Sequence, residues 1–389
     1  MLTQKNNTII LLALTSLVLT SSAVQLLNTQ QNEALETKPH SVTRSPKNRD
    51  IPNEEPSGWV ILDGTRNVSF NMVHLLVSQN IPCTVLVKPN DMVFADAKLP
   101  RSPLVTIVEC DFTATQFSPQ SITFTHEIKY LLLDPEHDVY KDWHKILPTI
   151  TKNAISLAKN NHLTIFYPAR VYVFNNQEVI TDESLYSPIT EQGMTLMKIE
   201  HMLKCAVQRK SCKVRTIRMS YPFGPAVFDY LLSSTFKEAP SIGRMTWLFR
   251  TDKPHQFCFV KDVARIALQL STYKTDHENI TLHFSGYTYP SVEEFGAAIC
   301  QLVDVQLKPR IVSKLQLSLV SIFQPNAERG VDLSTYFEQP VYMEDSKELV
   351  EAFSFTPTPP DKALKETLDW FGEYGMATRA LQETHRHHH

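Results

Sequence analysis

Glycine is scarce in this chain: there are 10 in 389 residues, where average usage of about 7% gives roughly 27. Loops that cradle phosphate consume glycine, so any nucleotide loop here is built largely without it. Clustered cysteine is also lacking. The six cysteines, Cys83, Cys110, Cys205, Cys212, Cys258 and Cys300, include no CxxC pair. That argues against a structural zinc centre, and no metal ligand set is expected. Six is too few for a disulfide scaffold; they read as small buried hydrophobes, with one or two disulfides left open for an exported chain. No sign of charge dominates, with 38 Lys+Arg against 41 Asp+Glu. A general basic field that would hold nucleic acid is therefore excluded. What is present is 42% apolar and 20% charged residues, the balance of a globular protein of one large or two ordinary domains.

The N-terminus bears on the compartment. Residues 8–24 read TIILLALTSLVLTSSAV, preceded by Lys5. The run sits at the short limit of a membrane span. Ser21 and Ala23 fit the small-residue rule for a cut after Ala23. Residues 1–27 thus read as a cleaved signal peptide or an uncleaved membrane anchor, with a buried first helix as the third reading. Residues 28–56 are polar and read as a flexible linker. The expected location is exported or membrane-anchored through this segment. The histidines at 385 and 387–389 read as a solvated end.

From Trp59 onward, short apolar runs alternate with helical patterns. Strands are expected at 59–62, 84–87, 105–108, 130–133, 163–167 and 214–219, with helices over 68–77 and 146–159. Alternation of this kind implies crossovers and a doubly wound parallel sheet with helices on both faces.

Several segments then resemble, in order, the extended and atypical short-chain dehydrogenase/reductases of the NAD-dependent epimerase/dehydratase group. They are WVILDGTRNVSFNMVHLLVSQNIPCTVLVK (59–88), Glu109-Cys110-Asp111, Tyr167-Pro168-Ala169-Arg170-Val171-Tyr172, and Thr181-Asp182-Glu183. Arg218 with Pro222-Phe223-Gly224-Pro225, then Phe259-Val260-Lys261-Asp262-Val263-Ala264, and 356–370 complete the set. The resemblance covers about residues 58–372. It implies a Rossmann-like dinucleotide-binding domain over 57–220, a smaller C-terminal substrate-type lobe over 221–375, and a tail over 376–389. It also implies NAD or NADP as cofactor and a nucleotide sugar as substrate.

The functional positions depart from the family. Its glycine loop is here Asp63-Gly64-Thr65-Arg66-Asn67-Val68-Ser69-Phe70. One register places Gly64, Asn67 and Phe70 at the three glycine positions. The other, which continues without a gap into 84–88, places Asp63, Arg66 and Ser69 there. Either register breaks the fingerprint. By resemblance the cofactor contacts fall on Gly64, Thr65, Arg66, Ser69, Lys88 and Asp111: Arg66 offers a phosphate partner, Lys88 a 2′-phosphate partner, and Asp111 lies by the adenine. The plain readings are a solvated Lys88 and a turn residue at Asp111.

The family's catalytic Tyr and Lys lie four apart on one helix face, where the Lys lowers the phenol pKa and the Tyr moves a proton. Pro188, Gly193 and Glu200 fix the register, and it puts Gln192 at the Tyr and Leu196 at the Lys. Lys198 lies roughly 200° round the helix from Leu196 and is no substitute. Tyr172 is the remaining candidate catalytic group, with Glu183, Asp252 and His255 behind it. Asp262 reads as a helix cap. The run 315–323 (LQLSLVSIF) reads as a helix over the cleft or as core. Two readings follow. The first is a non-catalytic derivative binding a nucleotide-type small molecule or a protein partner. The second is an active NAD(P)-dependent oxidoreductase or isomerase using other residues.

Overall fold

The computed structural model describes residues 57–136, 140–174, 179–322, 327–340 and 342–386. The expectations for residues 1–27, 28–56 and 387–389 lie outside the described residues.

Strands β1 (Gly58–Leu62), β2 (Cys83–Val87), β3 (Val105–Glu109), β4 (Ile128–Leu133), β5 (Thr164–Arg170), β6 (Lys213–Met219) and β10 (Asn279–Phe284) form one sheet, ordered β10-β6-β5-β4-β1-β2-β3. Every pairing is parallel. Strands β1 (GWVIL) and β2 (CTVLV) are buried, nearly continuous apolar runs because both faces of the sheet are covered there. Side chains alternate between the faces. Val60, Leu62, Leu131, Leu133, Ile165 and Tyr167 enter one core with helices α3 (Trp143–Asn161) and α4 (Glu191–Gln208). Trp59, Ile61, Val85, Leu132 and Phe166 enter the other, with α1 (Asn67–Ser78), α2 (Met92–Lys98) and α6 (Val260–Ser271).

The six expected strands all form. The seventh, β10, and helix α6 come from the C-terminal half, because the chain returns to the sheet after its first excursion. A division at residue 221 therefore does not separate the layers. The rest of that half builds two small sheets, β11 (Tyr287–Tyr289) with β9 (His255–Phe259) and β7 (Tyr221–Phe223), and β12 (Lys308–Val312) with β8 (Arg244–Leu248). Around them lie α5 (Tyr230–Ile242), α7 (Val292–Gln301), α8 (Lys314–Ser321), α9 (Ala327–Asp332), α10 (Ser334–Glu338) and α11 (Lys347–Glu351). Helix α12 runs Pro360–Arg386, so the segment expected as a tail continues that helix up to Arg386.

The six cysteines are free, and Cys83, Cys258 and Cys300 are buried. Among the described residues no three His, Cys, Asp or Glu gather as a metal site, and no helix is long and apolar enough to cross a membrane.

Candidate functional site

The strand order reverses between β1 and β4, and in such sheets ligands bind beyond the carboxyl ends of the strands at that point. The loop leaving β1 is the first wall. Asp63 takes φ +54°, the left-handed conformation that favours glycine and that Asp tolerates. A Cβ on Gly64 would lie 2.3 Å from Val85 Cγ1, so the loop needs glycine there to lie against β2. Ser69 is fully buried and its hydroxyl donates to the Leu62 carbonyl at 3.1 Å. Ser69, not Phe70, is the small residue seated against β1.

The amino end of α1 is where this fold offers N–H groups to a pyrophosphate. Here those groups are engaged by the chain itself. The Asn67 amide donates to the Ala226 carbonyl at 3.0 Å. The Val68 amide donates to the Asp134 carboxylate at 3.1 Å. The Asn67 side chain bonds Glu136, and Asn71 Nδ2 donates to the Pro225 carbonyl at 2.8 Å. Asp134 is the first residue after β4, so the strand aims its carboxylate at the helix. Burial pushes that carboxyl up to about 6, against the opposing pull of Arg170, whose guanidinium lies 4.0 Å away.

Beside it lies a cluster of four charges. Asp63 sits 3.6 Å from Arg66 Nε and 3.4 Å from Lys88 Nζ; Asp91 sits 3.5 Å from Arg66 and 3.2 Å from the same Lys88 nitrogen. Thr65 donates its hydroxyl to Asp63 at 2.6 Å. Lys88 is thus not a solvated strand end: it turns inward between two carboxylates, which screen it from an incoming phosphate. Asp111 is exposed and accepts from the Thr113 amide at 3.0 Å, the contact of a turn residue.

The second wall is the amino end of α4. Thr190 caps it by accepting from the Gly193 amide, and Asp332 accepts from the Glu191 and Gln192 amides at 3.0 Å each. A Cβ on Gly193 would lie 2.3 Å from the Tyr172 carbonyl, so this glycine brings the helix against residues 171–173. Gln192 and Leu196 are both buried. Gln192 Oε1 accepts from Arg329 Nε at 3.1 Å. Arg329 also lies over the Trp143 ring at 4.7 Å and 3.9 Å from Glu136. Helix α9 therefore closes the space in front of α4 with its own Arg329 and Asp332. Lys198 is exposed, on the far side of the helix.

Tyr172 lines a recess of about 30 Å³ with Ser220, Tyr221, His255, Gln256 and Tyr336. Burial pushes the Tyr172 phenol up to about 12, Arg329 opposing. Its ring meets Tyr336 edge-on at 5.0 Å, and its carbonyl accepts the Tyr336 hydroxyl at 2.8 Å. Burial holds the His255 imidazole down at about 4, and its Nδ1 has no partner among the described residues.

The other sequence candidates lie elsewhere. Glu183 is exposed, and Asp252 is exposed and paired with Arg250. Asp262 is structural but is not a cap: it accepts from the Thr358 amide and hydroxyl at 2.9 and 2.6 Å and from Arg265, tying the C-terminal segment to α6. Helix α8 forms as expected, but only Leu317 along it is buried, so the run is surface and not core. Phe323 lies outside the described residues.

Four groups central to this region were not singled out from the sequence: Asp134, Glu136, Arg329 and Asp332. Asp134 carried a signal, an acid directly after a central apolar strand. Arg329 and Asp332 carried none, because their partners lie some 140 residues away.

A seven-stranded parallel sheet with this order, wall and lobe has counterparts among solved structures. The Bordetella bronchiseptica enzyme WbmH, in complex with NAD+, matches with TM-score 0.62 at 17% identity, over 82% of this chain and 99% of that chain. The fold is that of the NAD-dependent epimerases and dehydratases. The Bacillus cereus UDP-glucuronic acid 4-epimerase, in complex with UDP-glucuronic acid and NAD, gives 0.65 at 11% identity, over 82% and 99%. The Bacillus anthracis dTDP-glucose 4,6-dehydratase, in complex with NAD, gives 0.65 at 12%, over 82% and 97%. No protein-family model and no curated protein matches the sequence. The epimerase/dehydratase likeness is thus one of fold.

Proposed function

We propose that this chain is a non-catalytic derivative of the epimerase/dehydratase fold, which uses the scaffold as a binding module in place of a redox site. The observation that carries the reading is the hydrogen bond from the Val68 amide to the Asp134 carboxylate. An internal carboxylate takes the helix terminus that a pyrophosphate requires, and two like charges at one helix end repel. Asp63, in the loop after β1, adds a second carboxylate, and the nearby cations Arg66, Lys88 and Arg170 are already paired. These residues do not fit a dinucleotide.

The α4 face supports the same reading. Gln192 does not titrate and Leu196 carries no charge, so neither supplies the acid–base pair. Arg329 and Asp332 occupy the space in front of them. The recess by Tyr172 is lined by high-pKa phenols and a neutral imidazole. Such groups hydrogen-bond a small polar molecule and do not ionise readily at neutral pH. A small nucleotide-type ligand or a protein partner is what remains for this module to bind.

The competing reading is an active NAD(P)-dependent enzyme on a nucleotide-sugar-like substrate, with Tyr172 as its proton-transfer group. It is favoured by the ligands in complex with the fold neighbours, NAD and UDP-glucuronic acid among them. Calorimetric titration of the full chain with NAD, NADH, NADP and NADPH decides between them. Absence of binding for all four is the expected result; saturable binding of any one supports the enzyme.

A further inference from the structure

Helix α9 is held in the cleft differently from the helix that follows it. None of its six residues is buried, and Val331, its one large apolar side chain, is 39% exposed. Its apolar contact is made by Ala327, packed against the core, and by the backbone at Gly330, where a Cβ would meet Leu317 and Leu248 at 3.0 and 3.1 Å. Helix α10, directly after it, buries Tyr336 and Phe337, and Leu333 between the two helices is buried as well. Apolar burial therefore anchors the chain from Leu333 onward and does little for α9.

What holds α9 is charge. Arg329 Nε donates to Gln192 Oε1 at 3.1 Å, and its guanidinium lies 3.9 Å from Glu136 and 4.7 Å from the centre of the Trp143 ring. Asp332 accepts from the Glu191 and Gln192 amides at 3.0 Å each and from the Tyr140 hydroxyl. The Arg329–Glu136 pair is partly open to solvent, so salt screens it. Segments with few buried apolar contacts open locally while the rest of the fold stays closed. The carboxamide that meets Arg329 also keeps a buried donor, Gln192 Nε2, with no partner among the described residues.

We propose that α9 is a detachable plug, an autoinhibitory contact at the α4 wall of the cleft. It lets go as one unit about Leu333, with Arg329 and Asp332 leaving together. Its release uncovers the Gln192 carboxamide and the first two amides of α4, and while seated it keeps ligands from that wall. This goes beyond the function argued above, because it concerns access to α4 and not what the α1 terminus binds.

Hydrogen exchange of the full chain, followed by mass spectrometry at single-residue resolution, tests it. The Glu191 and Gln192 amides report the release of Asp332. The Leu333 amide, which donates to the Arg329 carbonyl at 2.9 Å, reports α9 itself. Strand β5 reports global opening. The two sets are expected to share one protection factor, about tenfold or more below that of β5. In both sets it is expected to fall as NaCl is raised from about 0.05 to about 1 M, with β5 unchanged. Arg329→Gln removes no hydrogen bond of either set and is expected to lower both protections further; Arg329→Lys, which keeps the charge without the fork, is expected to fall between. Protection equal to that of β5 at either set overturns the proposal. So does one set opening without the other, a protection that salt does not change, or α4 amides that ignore Arg329→Gln.

Discussion

The Val68 amide and the Asp134 carboxylate meet at 3.1 Å across the switch point of the sheet. Strand β4 delivers the acid and helix α1 delivers the donor, so the contact joins the two halves of the doubly wound layer. Removing the acid leaves the helix terminus and Arg170 without their anion. Asp134→Ala is expected to cost about 3 kcal/mol. Asp134→Asn keeps an acceptor of the same shape and is expected to cost about 1 kcal/mol. Urea unfolding of both variants checks the order.

Installing a Tyr–Lys pair on α4 is expected to create no activity. Gln192→Tyr with Leu196→Lys places the right groups four apart on α4, but Arg329 and Asp332 still hold the space in front of them. No turnover of nucleotide sugars is expected from the double variant by product analysis. Turnover would mean that only the pair was missing.

Glycine 193 is expected to tolerate no side chain. Alanine improves helix propensity by about 1 kcal/mol, but its Cβ would sit 2.3 Å from the Tyr172 carbonyl. The clash dominates, and Gly193→Ala is expected to lower stability by about 2 kcal/mol, measured by denaturant midpoint.

Acid is expected to weaken the fold through its buried imidazoles. Burial holds His255 at about 4 in the folded state, below its ordinary 6.5. The unfolded chain binds the proton more readily, so stability is present above 6.5 and is lost as pH falls toward 4. At about 1.4 kcal/mol per pH unit this is about 3 kcal/mol over that window. Asp134, raised to about 6, acts in the opposite sense by a similar amount, and His283, held by burial at about 3, adds a second loss of the same sign, so the net loss in this range is about that of one imidazole. His255→Gln is expected to flatten the wild-type loss between pH 6.5 and 4; an unchanged profile would assign it elsewhere.

The sheet was legible because its strands are short apolar runs bounded by turns, Trp59–Leu62 and Tyr130–Leu133 the plainest. Strand β10, Asn279–Phe284, was not, since NITLHF carries polar residues at an edge and pairs with β6 only through a long excursion. That Gln192 and Leu196 share one buried face of α4 was legible from their four-residue spacing. What fills the site was not. The contacts of Gln192 with Arg329 and Asp332 join segments with no shared local pattern. The inward turn of Lys88 likewise depends on Asp63 and Asp91 facing it, which only the fold decides.

On the reading proposed above, the chain's own groups stand where a dinucleotide would bind. Thermal unfolding of the full chain with NAD, NADH, NADP or NADPH at millimolar concentration tests it directly. A cofactor at 100 times its dissociation constant stabilises by about 2.7 kcal/mol. The midpoint is expected to stay unchanged with all four. A clear rise with any one would contradict it and return Tyr172 to the role of a catalytic group.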